Sequence, residues 1–403
     1  MALRSPLATL FCLLATAGFT RAEEPDWSVR VTPYDQIYPA LELSQARRKD
    51  GAAHVARDDV FGEGSGLIAV RLRAHRAGER ITLSVSAPGL EESARVEAVL
   101  PQAGHEYLLR PPLAWRAQDL LAVASPRAAT LTFELTRDGN DAGSRSAEIS
   151  LRPLSEALYF VRDGNDAVDL SWIFAAYVDE HDAVVDRVLD MAIENGIVDK
   201  FDGYAGASPA AVYRQVWAVW QALSARGIRY SAADPGIARG PRVFSQNVRL
   251  LEQTWSDRSA NCIDGSVLIA SVLQRIGLRS FLVLVPGHAY VGFHVDAEGD
   301  RAAYLETTLL GAQNLPTAAL PDFARDMPVE EALRLDISGF SAALASGRRR
   351  HARIATRFDR AHRPDYVWID IGQARAFGIR PIETAVVAPP ATGNAAPRVS
   401  GKP

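Results

Sequence analysis

The segment from 267 to 276 constrains the fold most strongly, because its apolar residues occupy most sides of a helix. Such a helix is buried on most of its surface. Gly277 ends it, and a continuous apolar strand follows from 281 to 285. Residues 288 to 295 then alternate between the two faces of a strand. The pattern predicts a central helix packed against an antiparallel sheet.

The rest of the chain divides into two parts. From 23 to 155, short apolar stretches alternate with turn residues, which is typical of a β-sandwich. One of these stretches, 120 to 124, is expected to be a strand. From 156 to 384 the apolar spacing becomes largely helical, and it predicts helices over 168–195 and from Ser208 to Gly227. The fold class is therefore α+β, with an all-β sandwich-like domain first.

Both ends of the chain have special compositions. Residues 1–22 carry Arg4, an apolar run from 7 to 19, and small residues near Ala22, as a secretory signal peptide does. An uncleaved anchor is the alternative. The signal predicts a periplasmic or secreted protein with no membrane span once it is removed. The tail at 385–403 is rich in Pro, Ala and Gly, and we expect it to be disordered.

The overall composition excludes a wholly disordered, a collagenous or a coiled-coil chain. Hydrophobic residues make up 48% and charged residues 23% of the chain, as in ordinary globular proteins. The formal net charge is -4, so nothing in the overall charge favours nucleic acid as a partner.

The chain has two cysteines, and Cys12 lies in the predicted signal peptide. Cys262 would then be alone in a compartment where thiols oxidise. Asn261 and Asp264 fit a capping box at the start of the apolar helix, which puts Cys262 in the first turn. That position favours an anion, and hence a thiolate. Cys262 is therefore either a packed small residue or a reactive nucleophile.

Two further residues can complete a catalytic set. His288 begins the alternating strand, and Glu306 lies near the end of the strand predicted after it. A thiolate can attack a carbonyl carbon, and an imidazole oriented by a carboxylate can protonate the amine that leaves. The oxyanion would be bound by the backbone N–H of Cys262 and by the side chain of Gln246. As alternatives, Glu306 is an edge-strand charge and Gln246 is structural.

His288 and His294 share one face of the strand, so a metal site is an alternative for these residues. The sequence offers no third ligand nearby. We expect neither a metal ion nor a cofactor.

The block from 258 to 311 resembles the transglutaminase-like superfamily, whose core is related to papain-type cysteine peptidases. The matching motifs are Asn261–Asp264, the apolar helix to Gly277, Pro286–Gly292 and Leu305–Thr308. The resemblance implies Cys262 as nucleophile, His288 as base and Glu306 as the third member. The family commonly has Asp where this chain has Glu306, and Asp296 is the substitute candidate. Members include peptidases, amide-forming acyl transferases, deamidases and inactive proteins.

Three hypotheses follow from these observations. In the first, the protein is an exported thiol-dependent hydrolase or acyl transferase that acts on amide bonds of a peptide or protein, including those of the cell envelope. In the second, it is an inactive envelope binding or scaffold protein with a transglutaminase-like domain. In the third, the β region binds carbohydrate or peptidoglycan through an aromatic platform drawn from Trp27, Tyr34, Tyr38 and Trp115.

Overall fold

The computed structural model describes most of the chain between residues 26 and 383. The described residues are 26–44, 59–63, 68–163, 166–206, 208–232, 237–239, 242–312, 315, 319–358 and 365–383. The predicted signal peptide at 1–22 and the predicted tail at 385–403 lie outside them. The protein is a mixed structure of helices and several sheets, compatible with the predicted α+β class.

The N-terminal part is mostly strand. Its strands are β1 (Trp27–Val31), β2 (Gln36–Ile37), β3 (Val60–Gly62), β4 (Ile68–Arg73), β5 (Glu79–Ser86), β6 (Ala94–Leu100), β7 (Glu106–Arg110), β8 (Arg127–Arg137) and β9 (Asn140–Leu151). The helices α1 (Pro39–Ser44) and α2 (Ala117–Leu121) interrupt them.

These strands form two sheets that share one hydrophobic cluster. One sheet has the order β1-β4-β7-β3, and the other has the order β2-β9-β8-β5-β6. Buried and exposed residues alternate along β6, so that one face of the strand lies in the core. This arrangement of two sheets around a common core agrees with the sandwich expected from the short, regularly spaced strands.

The strand predicted at 120–124 is wrong, because α2 ends at Leu121 within it. Leu120 is buried there, while Leu121 is only partly buried. Alanine, glutamine and leucine in this stretch are good helix formers, and a short apolar run does not distinguish a strand from a helix.

The aromatic platform of the third hypothesis is also wrong. Trp27, Tyr38 and Trp115 are 4%, 1% and 7% exposed, so they belong to the core. Only Tyr34, at 37% exposed, remains accessible among the four. A single accessible ring does not form a stacking surface for a saccharide.

The C-terminal part combines helices with smaller sheets. Its strands are β10 (Glu156–Asp163), β11 (Asp166–Asp169), β12 (Arg229–Tyr230), β13 (Ile237–Arg239), β14 (Val243–Asn247), β15 (Ser259–Ala260), β16 (Ser280–Val285), β17 (His288–His294), β18 (Ala302–Leu305) and β19 (Val367–Asp370). Its α-helices are α3 (Ala183–Glu194), α4 (Pro209–Arg226), α5 (Leu251–Asp257), α6 (Cys262–Arg275), α7 (Val329–Arg334), α8 (Ile337–Ile354) and α9 (Ile371–Ala376). Short 3₁₀ helices lie at Ser171–Tyr177, Thr307–Leu309, Asp322–Ala324 and Ala355–Arg357.

The continuous helix predicted over 168–195 is wrong. The chain instead forms the end of β11, the 3₁₀ helix at Ser171–Tyr177, and then α3. Asp182 caps α3 by accepting a hydrogen bond from the backbone N–H of Val184 at 2.8 Å. A new helix therefore begins at this cap rather than continuing from the segment before it.

The predicted central helix and its sheet are confirmed. α6 is buried along most of its length, and it contacts β16 and β17. The sheet has the order β18-β17-β16-β19, with antiparallel pairing throughout. Ala289, Val291 and Phe293 of β17 belong to the large core that includes α6. The N-terminal core ends at Leu151, and this larger core continues from Leu154. Three earlier residues, Tyr38, Ala40 and Leu41, also pack into the larger core.

α8 covers the edge of this sheet, and the sequence analysis did not predict it. It contacts β18, and the backbone N–H of Glu306 donates to the carbonyl of Ala343 at 3.2 Å. Gly347 makes the close approach feasible, because a Cβ there would lie 2.3 Å from the carbonyl oxygen of Tyr304. The fold therefore brings the C-terminal half of α8 onto the strand that leads to Glu306.

Among the described residues, no helix combines the length and the apolar character that crossing a membrane requires.

We predict that Gly347→Ala destabilises the protein. Alanine would gain about 1 kcal/mol of helix propensity, but overpacking against backbone typically costs about 1–3 kcal/mol. The expected net result is a lower free energy of unfolding, measured by urea titration with circular dichroism. Ser346→Ala, one residue earlier on α8, is the control and should change the free energy by less than about 0.5 kcal/mol. Equal stability of Gly347→Ala and the wild type would contradict the close packing.

Candidate active site

Cys262 is the first residue of α6, and it is a partly exposed free cysteine. Asn261 caps the helix: its side-chain oxygen accepts from the N–H groups of Ile263 and Asp264, each at 2.9 Å. The carboxylate of Asp264 accepts in return from the N–H of Asn261 at 3.1 Å. The predicted capping box is therefore confirmed, and Cys262 lies in the first turn, where the helix dipole favours negative charge.

Asp264 also anchors the segment that precedes α5. Its two oxygens accept from the backbone N–H and the side-chain Nε of Arg249, both at 2.9 Å. Burial raises the pKa of Asp264, although its hydrogen bonds with Arg249 and Asn261 oppose that rise. This buried ion pair joins two loops at the start of the cysteine helix. The sequence analysis missed Arg249, since nothing local marks it as a partner.

His288 begins β17 directly after a tight hairpin turn. Val285 and His288 are paired, so the turn consists of Pro286 and Gly287, and Gly287 has a φ of +72°. The side chain of His288 is 14% exposed. Its Nε2 lies 2.9 Å from each carboxylate oxygen of Glu306. The structure thus brings together the predicted base and its predicted orienting carboxylate.

Glu306 follows β18 and is 2% exposed. Besides His288, its carboxylate accepts from the hydroxyl of Thr308 at 2.9 Å and from Nε of Arg350 at 2.8 Å. Burial raises the pKa of Glu306, but the hydrogen bond and charge of His288, with help from Thr308 and Arg350, outweigh burial and hold that pKa below its usual value. Glu306 is therefore a charged, fully engaged carboxylate and not an exposed edge-strand residue.

The thiol of Cys262 lies near enough to the imidazole of His288 to affect its protonation. Burial lowers the pKa of His288, but hydrogen bonds with Cys262 and Glu306 and their charges outweigh burial and raise the pKa to about 9. Because Nε2 is engaged by Glu306, Nδ1 is the ring nitrogen left to face the sulfur. His288 thus interacts with both other predicted residues: it is hydrogen-bonded to Glu306, and its pKa responds to Cys262.

The segment after Glu306 also holds the backbone of Cys262. The hydroxyl of Thr307 donates to the carbonyl of Cys262 at 3.1 Å, and the hydroxyl of Ser266 donates to the same oxygen at 2.6 Å. Residues adjacent to the carboxylate therefore fix the position of the cysteine backbone as well.

Tyr230 lies close to the same site, and the sequence analysis did not identify it. Its strand β12 pairs in parallel with β15, which ends two residues before Cys262. Burial raises the pKa of Tyr230, and negative charge at Cys262 and Glu306 adds to that rise. The ring is 39% exposed. Tyr230 is therefore an exposed residue whose protonation responds to both Cys262 and Glu306.

The remaining candidates have other surroundings. Gln246 lies on β14, and its side-chain amide donates to the carbonyl of Asn247 at 3.0 Å. One of its two amide hydrogens is thereby used, and its role as an oxyanion donor stays a prediction. Asp296 caps the turn after β17 by accepting from the N–H groups of Gly299 and Asp300 at 2.7 and 2.8 Å. It is therefore wrong as the substitute for Glu306.

His294 lies at the far end of β17 from His288, and its ring packs against Phe281 at 5.4 Å between centroids. Within the described ranges, no group of three or more histidine, cysteine, aspartate and glutamate side chains is arranged to hold a metal ion.

No family model fits the chain, and no curated protein is significantly similar to it.

We predict that Asp264→Ala lowers the free energy of unfolding by about 3–5 kcal/mol, because it leaves the partly buried guanidinium of Arg249 without its buried partner. Urea titration measures this change. Asp257→Ala is the matched control, since Asp257 also contacts Arg249, at 3.4 Å, but is 60% exposed. Its loss should cost less than about 1 kcal/mol. Equal effects of the two variants would contradict a special role for the buried pair.

Proposed function

We propose that the protein is an exported thiol-dependent hydrolase or acyl transferase that acts on amide bonds of peptides or proteins. Cys262 is the nucleophile, His288 the acid and base, and Glu306 the residue that orients His288. The observation that carries the proposal is the hydrogen bond of His288 with the buried carboxylate of Glu306, together with a partly exposed thiol near enough to raise the pKa of the same imidazole. A packed, inert cysteine would not require such a neighbour.

The arrangement of elements supports a transglutaminase-like core for this domain. The nucleophile begins a buried helix, the histidine lies on a following strand, and the carboxylate follows the next strand. This is the order that the resemblance implies, with glutamate in place of the usual aspartate. Export rests on the sequence of residues 1–22.

Acylation begins when the thiolate of Cys262 attacks the carbonyl carbon of the amide and forms a carbon–sulfur bond. Negative charge collects on the carbonyl oxygen, where the N–H of Cys262 and the amide of Gln246 are the candidate donors. His288, as an imidazolium, then gives its proton to the amide nitrogen. The carbon–nitrogen bond breaks, the amine leaves, and a thioester on Cys262 remains.

Deacylation regenerates the thiol. Neutral His288 takes a proton from water, and the oxygen attacks the thioester carbon. The carbon–sulfur bond breaks, a carboxylic acid leaves, and the thiolate–imidazolium pair returns. If an amine attacks in place of water, the product is a new amide. Glu306 stabilises the positive imidazole in each step and keeps Nδ1 directed at the sulfur.

We predict that Cys262 reacts rapidly with iodoacetamide at pH 6. An ordinary thiol with a pKa of about 8.5 is less than about 1% thiolate at that pH, so a paired thiolate should react up to about 100-fold faster. His288→Ala should abolish this advantage, and Glu306→Gln should reduce it. His294→Ala, on the same strand, is the control and should leave the rate unchanged. Intact-mass measurement over time gives each rate.

A wild-type rate no greater than that of free cysteine would contradict the proposal and leave the scaffold hypothesis. If the thiol is reactive, incubation of a glutamine peptide with a labelled primary amine separates the two reaction types. A transferase incorporates the label, whereas a hydrolase releases unlabelled acid. We expect hydrolysis.

A further inference from the structure

Arg350 shares the carboxylate of Glu306 with His288. Its Nε lies 2.8 Å from Oε2 of Glu306, and Nε2 of His288 lies 2.9 Å from the same oxygen. Arg350 is 33% exposed, whereas Glu306 is 2% exposed. One buried negative charge thus serves two positive side chains, one from the predicted catalytic set and one from α8.

The position of Arg350 is well supported by its surroundings. Gly347, one turn earlier, allows α8 to lie against the carbonyl of Tyr304. The next residue, His351, stacks on the ring of Tyr304 with centroids 3.8 Å apart. Nδ1 of His351 also lies 3.3 Å from the hydroxyl of Tyr290, two residues after His288 on β17. The helix is thereby tied to both strands that carry the site.

We propose that Arg350 is a positioning residue for the proposed acyl-transfer site, and that its charge limits how strongly Glu306 holds His288 in the protonated form. This inference rests on the proposed function for its meaning in catalysis. It assigns a role to a residue of α8 whose hydrogen bond is to Glu306.

The physical reason is the number of charges around one carboxylate. Glu306 interacts with His288, Arg350, Tyr290 and Tyr230, whereas Cys262 acts on His288. Arg350 is permanently positive, so its field favours loss of a proton by each titrating neighbour. Without Arg350, the negative charge of Glu306 would act on His288 without this opposing positive charge, and the imidazole would release its proton at a higher pH.

The effect of Arg350 on the protonation of His288 would matter most in deacylation. Water is activated by neutral His288. In the thioester the thiolate of Cys262 no longer favours the protonated ring, but the charge of Glu306 still does. A rise of one unit in the pKa of His288 would reduce the neutral fraction at pH 7 by up to about tenfold. Arg350 would thereby keep the ring able both to give and to take a proton.

The test is a pH titration of the His288 ring by ¹H–¹³C NMR in the full-length protein, assigned by comparison with His288→Gln. Arg350→Met should move the midpoint upward by about half a unit to one unit. Arg350→Lys keeps the positive charge and should restore the midpoint to within about 0.3 units of the wild type. Arg350→Gln, which keeps a hydrogen-bond donor without charge, replaces Arg350→Met if that variant does not fold.

Arg349→Met is the matched control, since Arg349 is an exposed arginine of the same helix. Its midpoint should equal that of the wild type. An unchanged or lowered midpoint in Arg350→Met, or an equal shift in Arg349→Met, would overturn the inference. The titration does not depend on thiol reactivity. A slow reaction of Cys262 with iodoacetamide therefore counts against the proposed function alone, and an unmoved His288 midpoint counts against Arg350 alone.

Discussion

Burying a carboxylate is costly unless charged and polar partners replace the water it loses. Glu306 meets that condition with three donors: His288 on β17, Thr308 two residues after Glu306, and Arg350 on α8. Since these partners lie far apart in the chain, the carboxylate fixes the relative positions of strand, turn and helix. The geometry proposed for catalysis depends on this single buried charge.

The extra methylene of glutamate suits this position. Glu306 precedes the 3₁₀ helix at Thr307–Leu309 and caps it, with the N–H of Thr308 at 3.4 Å from Oε1. The same carboxylate still reaches His288 at 2.9 Å. The side chain of Glu306 can therefore perform both tasks. The hydroxyl of the next residue, Thr307, donates a hydrogen bond to the carbonyl of Cys262, so this segment also holds the backbone of the proposed nucleophile in place.

Local patterns predicted the parts of this arrangement that are determined locally. Asn261 and Asp264 marked the helix start, and apolar periodicity predicted α6 and the two strands after it. Arg350 could not be found in this way, because it is the last of three successive arginines and nothing local indicates which of them turns inward. Arg249 and Tyr230 are similar, since each meets the site through tertiary packing. The sequence of 168–195 predicts one helix because several short elements in succession can together imitate a helical period.

The account's central claim is that Cys262 carries an acyl group during the reaction. Incubation of the protein with a p-nitrophenyl ester, followed by rapid acid quenching and peptide mapping by mass spectrometry, tests it most directly. The account predicts one acyl group per chain, attached to Cys262 and missing in His288→Gln. No adduct on Cys262, or the same amount of adduct in His288→Gln, would contradict it.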